Sequence, residues 1–453
     1  MSEGASPPTH LRWVRWVYNL LLALLAPALA LYLIWRITFG RKSAAGLAAR
    51  LGMVPRGLRE ACRRPSGERL VWIHAVSVGE VSVAAAIMRE LAAAGSPIRV
   101  AVSTTTPSGR EVAEKRLSDA CAIFYLPYDV PWAVSRTLAA VRPDALVVLE
   151  TEMWPNLFAM AHERGAHTLI ANGRISDRAF PKFMRFRSLY GWVMSNVDLV
   201  AAQSETCALR FIDLGADPVR VRVLGNVKFD EPLPSVSDPE RARLRAELGL
   251  SDDHRVIVFG STAPEEIGSL MEAYTMVRAR VAEARLIIAP RHTDRVPQAV
   301  EAARALGFET ALRSELSGGQ EVGNRIIVVD TFGELATLYA LSQVAFIGRS
   351  LVDKGGGNLL QPLAFGVPVL FGPHMQNFRE IARSACDFGV SAEVSSATEL
   401  AEAICRFLES SVESQRVAEL APRFLAENSG SARAHAEAIR RLLGASESAE
   451  APL

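Results

Sequence analysis

From residue 70 onward the chain alternates short apolar runs with stretches of helical periodicity, and that alternation leaves few folds open. The apolar runs fall at 70–76, 98–102, 122–125, 145–149, 168–171 and 199–202. Each has the length of a buried strand and is followed by a helical stretch, which predicts a doubly wound parallel sheet. The segment EPLPSVSDP at 231–239 breaks the pattern with its prolines and reads as a linker. Apolar runs resume at 256–259, 286–289, 326–329, 344–347 and 367–371, predicting a second parallel sheet. A chain of 453 residues is too long for one ordinary core. The expected fold is therefore α/β, with two doubly wound domains facing a cleft, 46–230 and 240–445, joined by a hinge at 231–239. Residues 446–453 are expected to fray. Ligands of such folds lie beyond the carboxyl ends of the strands.

Residues 16–35, WVYNLLLALLAPALALYLIW, carry no charge and are about as long as a bilayer is thick. With Trp13, Trp16, Tyr18, Tyr32 and Trp35 towards the two ends, 1–45 reads as an N-terminal transmembrane anchor. A cleaved leader ending near Ala28-Leu29-Ala30 is the competing reading. Arg36, Arg41, Lys42, Arg50, Arg56, Arg59, Arg63 and Arg64 follow the run, against Arg12 and Arg15 before it, which places the bulk of the protein on the cytoplasmic side. The basic segment 40–64 suits anionic lipid headgroups, or is simply a soluble linker.

Several activities are excluded. Neither half carries GxGxxG or GxxxxGK[ST], which argues against a dinucleotide oxidoreductase and a P-loop NTPase. A net charge of +1 gives no global field for nucleic acid. The cysteines, Cys62, Cys121, Cys207, Cys386 and Cys405, have no metal-binding or disulfide spacing. No Asp-x-Asp occurs, so the usual metal bridge to a sugar diphosphate is missing. A donor with one phosphate and no metal fits better.

Four constellations sit at strand ends. In WIHAVSVGEV, 72–81, Glu80 opens a helix at the carboxyl edge of the first sheet. It either takes a proton from an acceptor hydroxyl or merely stabilises the helix dipole. In ETEMWPN, Glu150 and Glu152 point the same way on extended chain, to hold a polyhydroxyl ligand or to brace loops. In NGRISDR and beyond, Arg174, Ser176, Arg178, Lys182, Arg185 and Arg187 suit a phosphate-bearing acceptor or form a solvated face. The fourth set comprises Lys228, Ser261, Arg291, His292 and Lys354. With it goes the turn Gly355-Gly356-Gly357, whose bare backbone and following cap Asn358 suit an anion.

These segments, WIHAVSVGEV, TTTPSGREVA, YLPYDVP, ETEMWPNL, NGRISDR, GNVKFD, APRH, DTFGELATLY and VPVLFGPHMQNF, run in order from about residue 40 to 385 and together resemble the Kdo transferase family. Its members are membrane-bound enzymes that place 3-deoxy-D-manno-oct-2-ulosonic acid (Kdo) on lipid A precursor. The resemblance implies a GT-B fold at the cell inner membrane, CMP-Kdo as donor, a phosphorylated disaccharide lipid as acceptor, and inversion without metal or cofactor. It implies Glu80 as general base, with Lys228, Arg291, Asn358 and the glycine turn around the nucleotide. The chain departs from the family at Gln361, where GGxNPLE has a carboxylate, and at Ala263-Pro264, where GSTHxGE has a histidine. Gln361 still hydrogen-bonds a hydroxyl, without charge. The alternatives are an anchored GT-B transferase using another nucleotide sugar, or a catalytically silent sugar-nucleotide- or lipid-binding homologue.

Overall fold

A computed structural model describes residues 9–38, 46–93, 95, 97–316, 318 and 321–444. The expected frayed tail, and Arg41 and Lys42 of the basic segment, lie outside them. The chain forms two compact units, Met1–Glu231 with Ser429–Leu453, and Pro232–Asn428.

In the first unit seven parallel strands, β1 (Arg69–His74), β2 (Ile98–Thr104), β3 (Ala122–Tyr125), β4 (Ala145–Leu149), β5 (His167–Gly173), β6 (Leu199–Ala202) and β7 (Val221–Val223), lie in the order 3-2-1-4-5-6-7. Apolar residues continue through each central strand because both faces are covered. Leu70, Trp72, Leu146 and Val148 enter one core with Phe158 and Val193. Their neighbours Val71, Ile73, Val147 and Leu149 enter the other with Val83 and Ile87. This period of two fixes the register of the sheet between its helical layers.

The helix Ser431–Leu442, which the sequence assigns to the second domain, packs on Val78–Ala93 of the first. Asp230 holds its start, accepting from the backbone N–H of Gly430 (2.6 Å) and Ala432 (2.7 Å). Buried His435 donates from Nδ1 to the Ser431 carbonyl (2.7 Å), leaving Nε2 to accept from the N–H of Asn172 (2.9 Å). Burial lowers the pKa of His435 and keeps it in this neutral form.

The second unit repeats the architecture with β8 (Arg255–Thr262), β9 (Ala284–Pro290), β10 (Thr310–Leu312), β11 (Ile326–Val328), β12 (Val344–Ile347), β13 (Val369–Phe371) and β14 (Ser391–Glu393), all parallel, in the order 10-11-9-8-12-13-14. In both sheets the order reverses beside the first strand of the unit, β1 or β8, which opens a crevice at the carboxyl ends there.

The N-terminal segment corrects the sequence reading. It is one helix, Thr9–Thr38, but among the described residues no helix is long and apolar enough to cross a membrane. The expected transmembrane anchor is not found, and polar side chains of the helix grip the first unit. Arg15 pairs with Glu163, and the Tyr18 hydroxyl donates to Asp129 Oδ2 (2.9 Å). The Asn19 and Asn156 amides exchange hydrogen bonds of 3.2 and 2.8 Å, while Val14 packs with Ala159 and Trp192. Trp16, Leu20, Leu21, Leu24, Leu25 and Leu31 remain exposed. Because Arg15 meets the far end of the Pro155–His162 helix and Asn19 its first turn, the N-terminal helix heads towards the carboxyl edge of the sheet. Tyr18→Phe removes one of the two donors to Asp129 Oδ2, which keeps the N–H of Asn156 (2.9 Å); a loss of about 0.5–1.5 kcal/mol is expected, seen as a lower unfolding temperature.

Candidate functional site

At the carboxyl edge of the first sheet, β1 ends in a turn that returns as the helix Val78–Ala93. Glu80 lies in the first turn of that helix and is only 8% exposed. Its Oε2 accepts from the backbone N–H of Val76 (2.8 Å) and its Oε1 from the Ser77 hydroxyl (3.1 Å). Burial, and then the charge of Glu150 with a smaller contribution from Glu152, push its carboxyl up to about 8. It therefore behaves as a base stronger than an ordinary glutamate, with a proton held at neutral pH. Thr106 braces the turn, donating to the Val76 carbonyl (3.0 Å) and accepting from the N–H of Gly109 (3.0 Å). A Cβ at Gly109 would sit 2.9 Å from the same carbonyl.

Glu150 follows β4 in the left-handed region, φ 56°, a costly conformation for a glutamate. Lys228 Nζ lies 3.4 Å from Glu150 Oε1, and both side chains are largely buried. Lys228, grouped with donor residues from the sequence, thus belongs to the first unit and meets the carboxylates there. A buried relay fixes its turn. Asn172, also left-handed at φ 52°, accepts from the N–H of Val227 (3.1 Å), Gln203 donates to the Asn172 carbonyl (3.0 Å), and Asn226 donates to Gln203 (3.1 Å). Glu152 is partly buried, which raises its pKa. Arg178, Lys182 and Arg185 are exposed on the loop and helix after β5, Arg174 and Ser176 are half-buried there, and Arg187 donates to the Asp213 carbonyl instead (2.7 Å).

In the second unit, Ser261 at the end of β8 and Arg349 after β12 are both left-handed, φ 57° and 62°. The carboxylate that locks them together is Glu266, 1% exposed, which accepts from the N–H groups of Ala263 (2.9 Å), Arg349 (2.5 Å) and Leu351 (3.3 Å). Its own negative charge fills this nest of amides, and Gly348 lets the strands close, since a Cβ there would stand 2.6 Å from the Thr262 Cα. Arg291 is exposed beyond β9, with His292 exposed beside it. Burial, and then the nearby charge of Arg291, lower the pKa of Arg349. The Arg349 guanidinium donates to the Lys354 carbonyl. Lys354 pairs with Glu265 at 3.0 Å on the surface.

The glycine turn differs from its expected role. Gly355 and Gly356 are buried, and a Cβ on them would meet Asn377 Nδ2 at 2.4 Å and Met375 Sδ at 2.3 Å. They admit the chain's own 375–377 turn. Gly357 and Asn358 are half-exposed, and Asn358 Oδ1 accepts from the N–H of Leu360 (2.9 Å). The helix that Asn358 was expected to start is a single turn, Leu360–Leu363, carrying Gln361 half-exposed. Gly356→Ala, with φ at 71° and no room, is expected to cost about 1–3 kcal/mol in thermal unfolding.

Glu80, Glu150, Glu152 and Lys228 come together in one unit; Ser261, Arg291, Lys354 and the glycine turn share the other. Sequence reasoning missed Gln203, Glu266 and Arg349, and met Asn172 only as the first residue of NGRISDR, without a role. Among the described residues no group of three or more His, Cys, Asp or Glu is placed to hold a metal ion.

A sequence profile described as 3-Deoxy-D-manno-octulosonic-acid transferase (kdotransferase) matches residues 45–231. A 3-deoxy-D-manno-octulosonic acid transferase of Bordetella pertussis is 31% identical over 95% of this chain and 100% of its own length. A bifunctional glycosyltransferase/methyltransferase of Fusobacterium nucleatum is 33% identical over 74% of this chain, which spans only 52% of that longer protein. Among solved structures, a glycosyltransferase from Rickettsia africae superposes with a TM-score of 0.59 over 84% of this chain and 100% of its own, at 13% identity, a likeness of fold alone.

Proposed function

Since the chain belongs to the Kdo transferase family and is a glycosyltransferase, we propose that it moves Kdo from CMP-Kdo to a hydroxyl of the phosphorylated disaccharide lipid A precursor, with inversion. The observation that carries this reading is Glu80, a buried carboxyl with a raised pKa at the carboxyl edge of the first sheet, beside carboxylates suited to a polyhydroxyl ligand. Ionised Glu80 takes the proton of the acceptor hydroxyl. That oxygen attacks the anomeric carbon of Kdo from the face opposite CMP, and the carbon–oxygen bond to the phosphate breaks with its electron pair leaving on CMP.

Arg291, Arg349 and Lys354 neutralise the leaving phosphate, the work a metal ion does for sugar diphosphates. Gln361 and the half-exposed Gly357–Asn358 amides lie on the same unit for the remaining donor hydroxyls. Lys228 acts on the acceptor side by fixing Glu150. Arg174, Arg178, Lys182 and Arg185 receive the acceptor's phosphate. The exposed leucines and tryptophans of the N-terminal helix rest in the headgroup layer of the inner membrane without spanning it, which brings the carboxyl edge to a lipid substrate.

The test is transfer of radiolabelled Kdo from CMP-Kdo to detergent-solubilised acceptor, with the product sized to count the sugars added. Competition by CMP, UDP and GDP checks the donor. Tighter binding of UDP or GDP than of CMP, or no labelled lipid at all, would refute the assignment.

A further inference from the structure

At the opposite, amino-terminal end of the first sheet lies a cavity of about 810 Å³, walled by Gly57, Arg59, Glu60, residues 62–68 and residues 140–142. These residues precede β1 and β4, so the cavity is a strand's length, roughly 20 Å, from the edge that carries Glu80. Two arginines build its wall. Arg99 donates to the carbonyls of Ala61 (2.9 Å) and Arg63 (2.7 Å), and Arg64 to the Arg142 carbonyl (2.7 Å) and Asp144 Oδ1 (3.1 Å).

Three others line the cavity and are exposed, with no side-chain partner among the described residues: Arg59, Arg63 and Arg142. Two acidic residues join them, Glu60 and Glu68, and Glu68 Oε2 is buried without a hydrogen-bond partner among the described residues. A concave wall with three unpaired cations focuses a positive field that a bound anion relieves. An occluded carboxylate oxygen asks for a donor. Arg142, left-handed at φ 50°, is the C-cap of the helix Pro131–Val141, its N–H donating to the Leu138 carbonyl.

We propose that this cavity is a second ligand site, which binds a small phosphorylated solute that also carries a hydroxyl or amine. Phosphate oxygens accept from Arg59, Arg63 and Arg142, and the hydroxyl or amine donates to Glu68 Oε2. A free solute fits better than a lipid headgroup, because the N-terminal helix leads its exposed apolar residues to the other edge of the sheet. The site is separate from the transfer reaction and does not depend on it.

The experiment is isothermal titration of the full chain in detergent with O-phosphoethanolamine, and with ethyl phosphate, which lacks the amine. Saturable binding to one site is expected, tighter for the amine-bearing probe. Arg59→Ser/Arg63→Ser should weaken it about tenfold or more, the loss of a single strong charged contact being enough for that factor. Arg142→Gly should weaken it too while folding at least as well, because glycine suits a positive φ. Kdo transfer by both variants should match the parent. Absence of binding, or binding undiminished in both variants, overturns the proposal. So does a defect seen only with phosphatidylglycerol vesicles and not with the soluble probes.

Discussion

Glu80→Gln is expected to lose roughly 100-fold or more of the transfer rate, the usual effect of removing a general base. The glutamine keeps an oxygen for the Val76 N–H, so the turn should survive. The sign of the pH dependence follows from the raised pKa. Transfer needs the ionised carboxylate, so kcat/KM should climb with pH and level off above about 8. Stability runs the other way. Glu80 holds its proton more tightly folded than unfolded, where its pKa is near 4.5, so its contribution is full below that value and is lost as pH rises through about 8. Above pH 8 the glutamine enzyme should therefore unfold at a higher temperature than the parent. Glu150→Gln, by removing a neighbouring negative charge, should move the rising limb of the rate profile to lower pH. A glutamine variant at position 80 with parental turnover would end the assignment of this residue as base.

The second large effect concerns Glu266. Alanine there leaves the backbone N–H groups of Ala263, Arg349 and Leu351 without their carboxylate acceptor and removes the bond that holds Arg349 in its left-handed conformation. A loss of about 3 kcal/mol or more is expected, at the upper end for single substitutions. Kinetics separate positioning from mere stability. At a temperature where the Glu266→Gln variant stays folded, the KM for CMP-Kdo should rise several-fold while the acceptor KM holds, because an amide supplies one acceptor where two oxygens served. Equal changes in both KM values would show that Glu266 only supports the fold.

Much of this architecture is legible in the amino-acid order. The central strands announce themselves because both faces are covered, as the pairs Leu70/Val71 and Trp72/Ile73 illustrate by entering opposite cores. The edge strands Val221–Val223, Thr310–Leu312 and Ser391–Glu393 do not, being three residues long and partly exposed. The position of Glu80 at a helix start is readable from the strand-glycine-glutamate pattern, whereas its proton affinity depends on Glu150 and Glu152, brought beside it by the pairing of β1 with β4. Glu266 and Arg349 escape notice because they are 83 positions apart and meet only where β8 pairs with β12. The triple glycine misleads for a related reason: the group that comes close to it is the chain's own Met375 and Asn377. The contacts of Tyr18 and Asn19 with Asp129 and Asn156 are not legible either, because they join residues more than a hundred positions apart.

The return of the helix Ser431–Leu442 to the Val78–Ala93 helix has a consequence for biosynthesis. The ribosome finishes the second unit before it makes the strap that covers the helix bearing Glu80. Until then Ala84, Ile87 and Leu91 lack part of their apolar cover, and a nascent chain stalled before residue 429 should be held by chaperones and remain inactive. Synthesis of the strap thus becomes a late checkpoint before the first unit is complete.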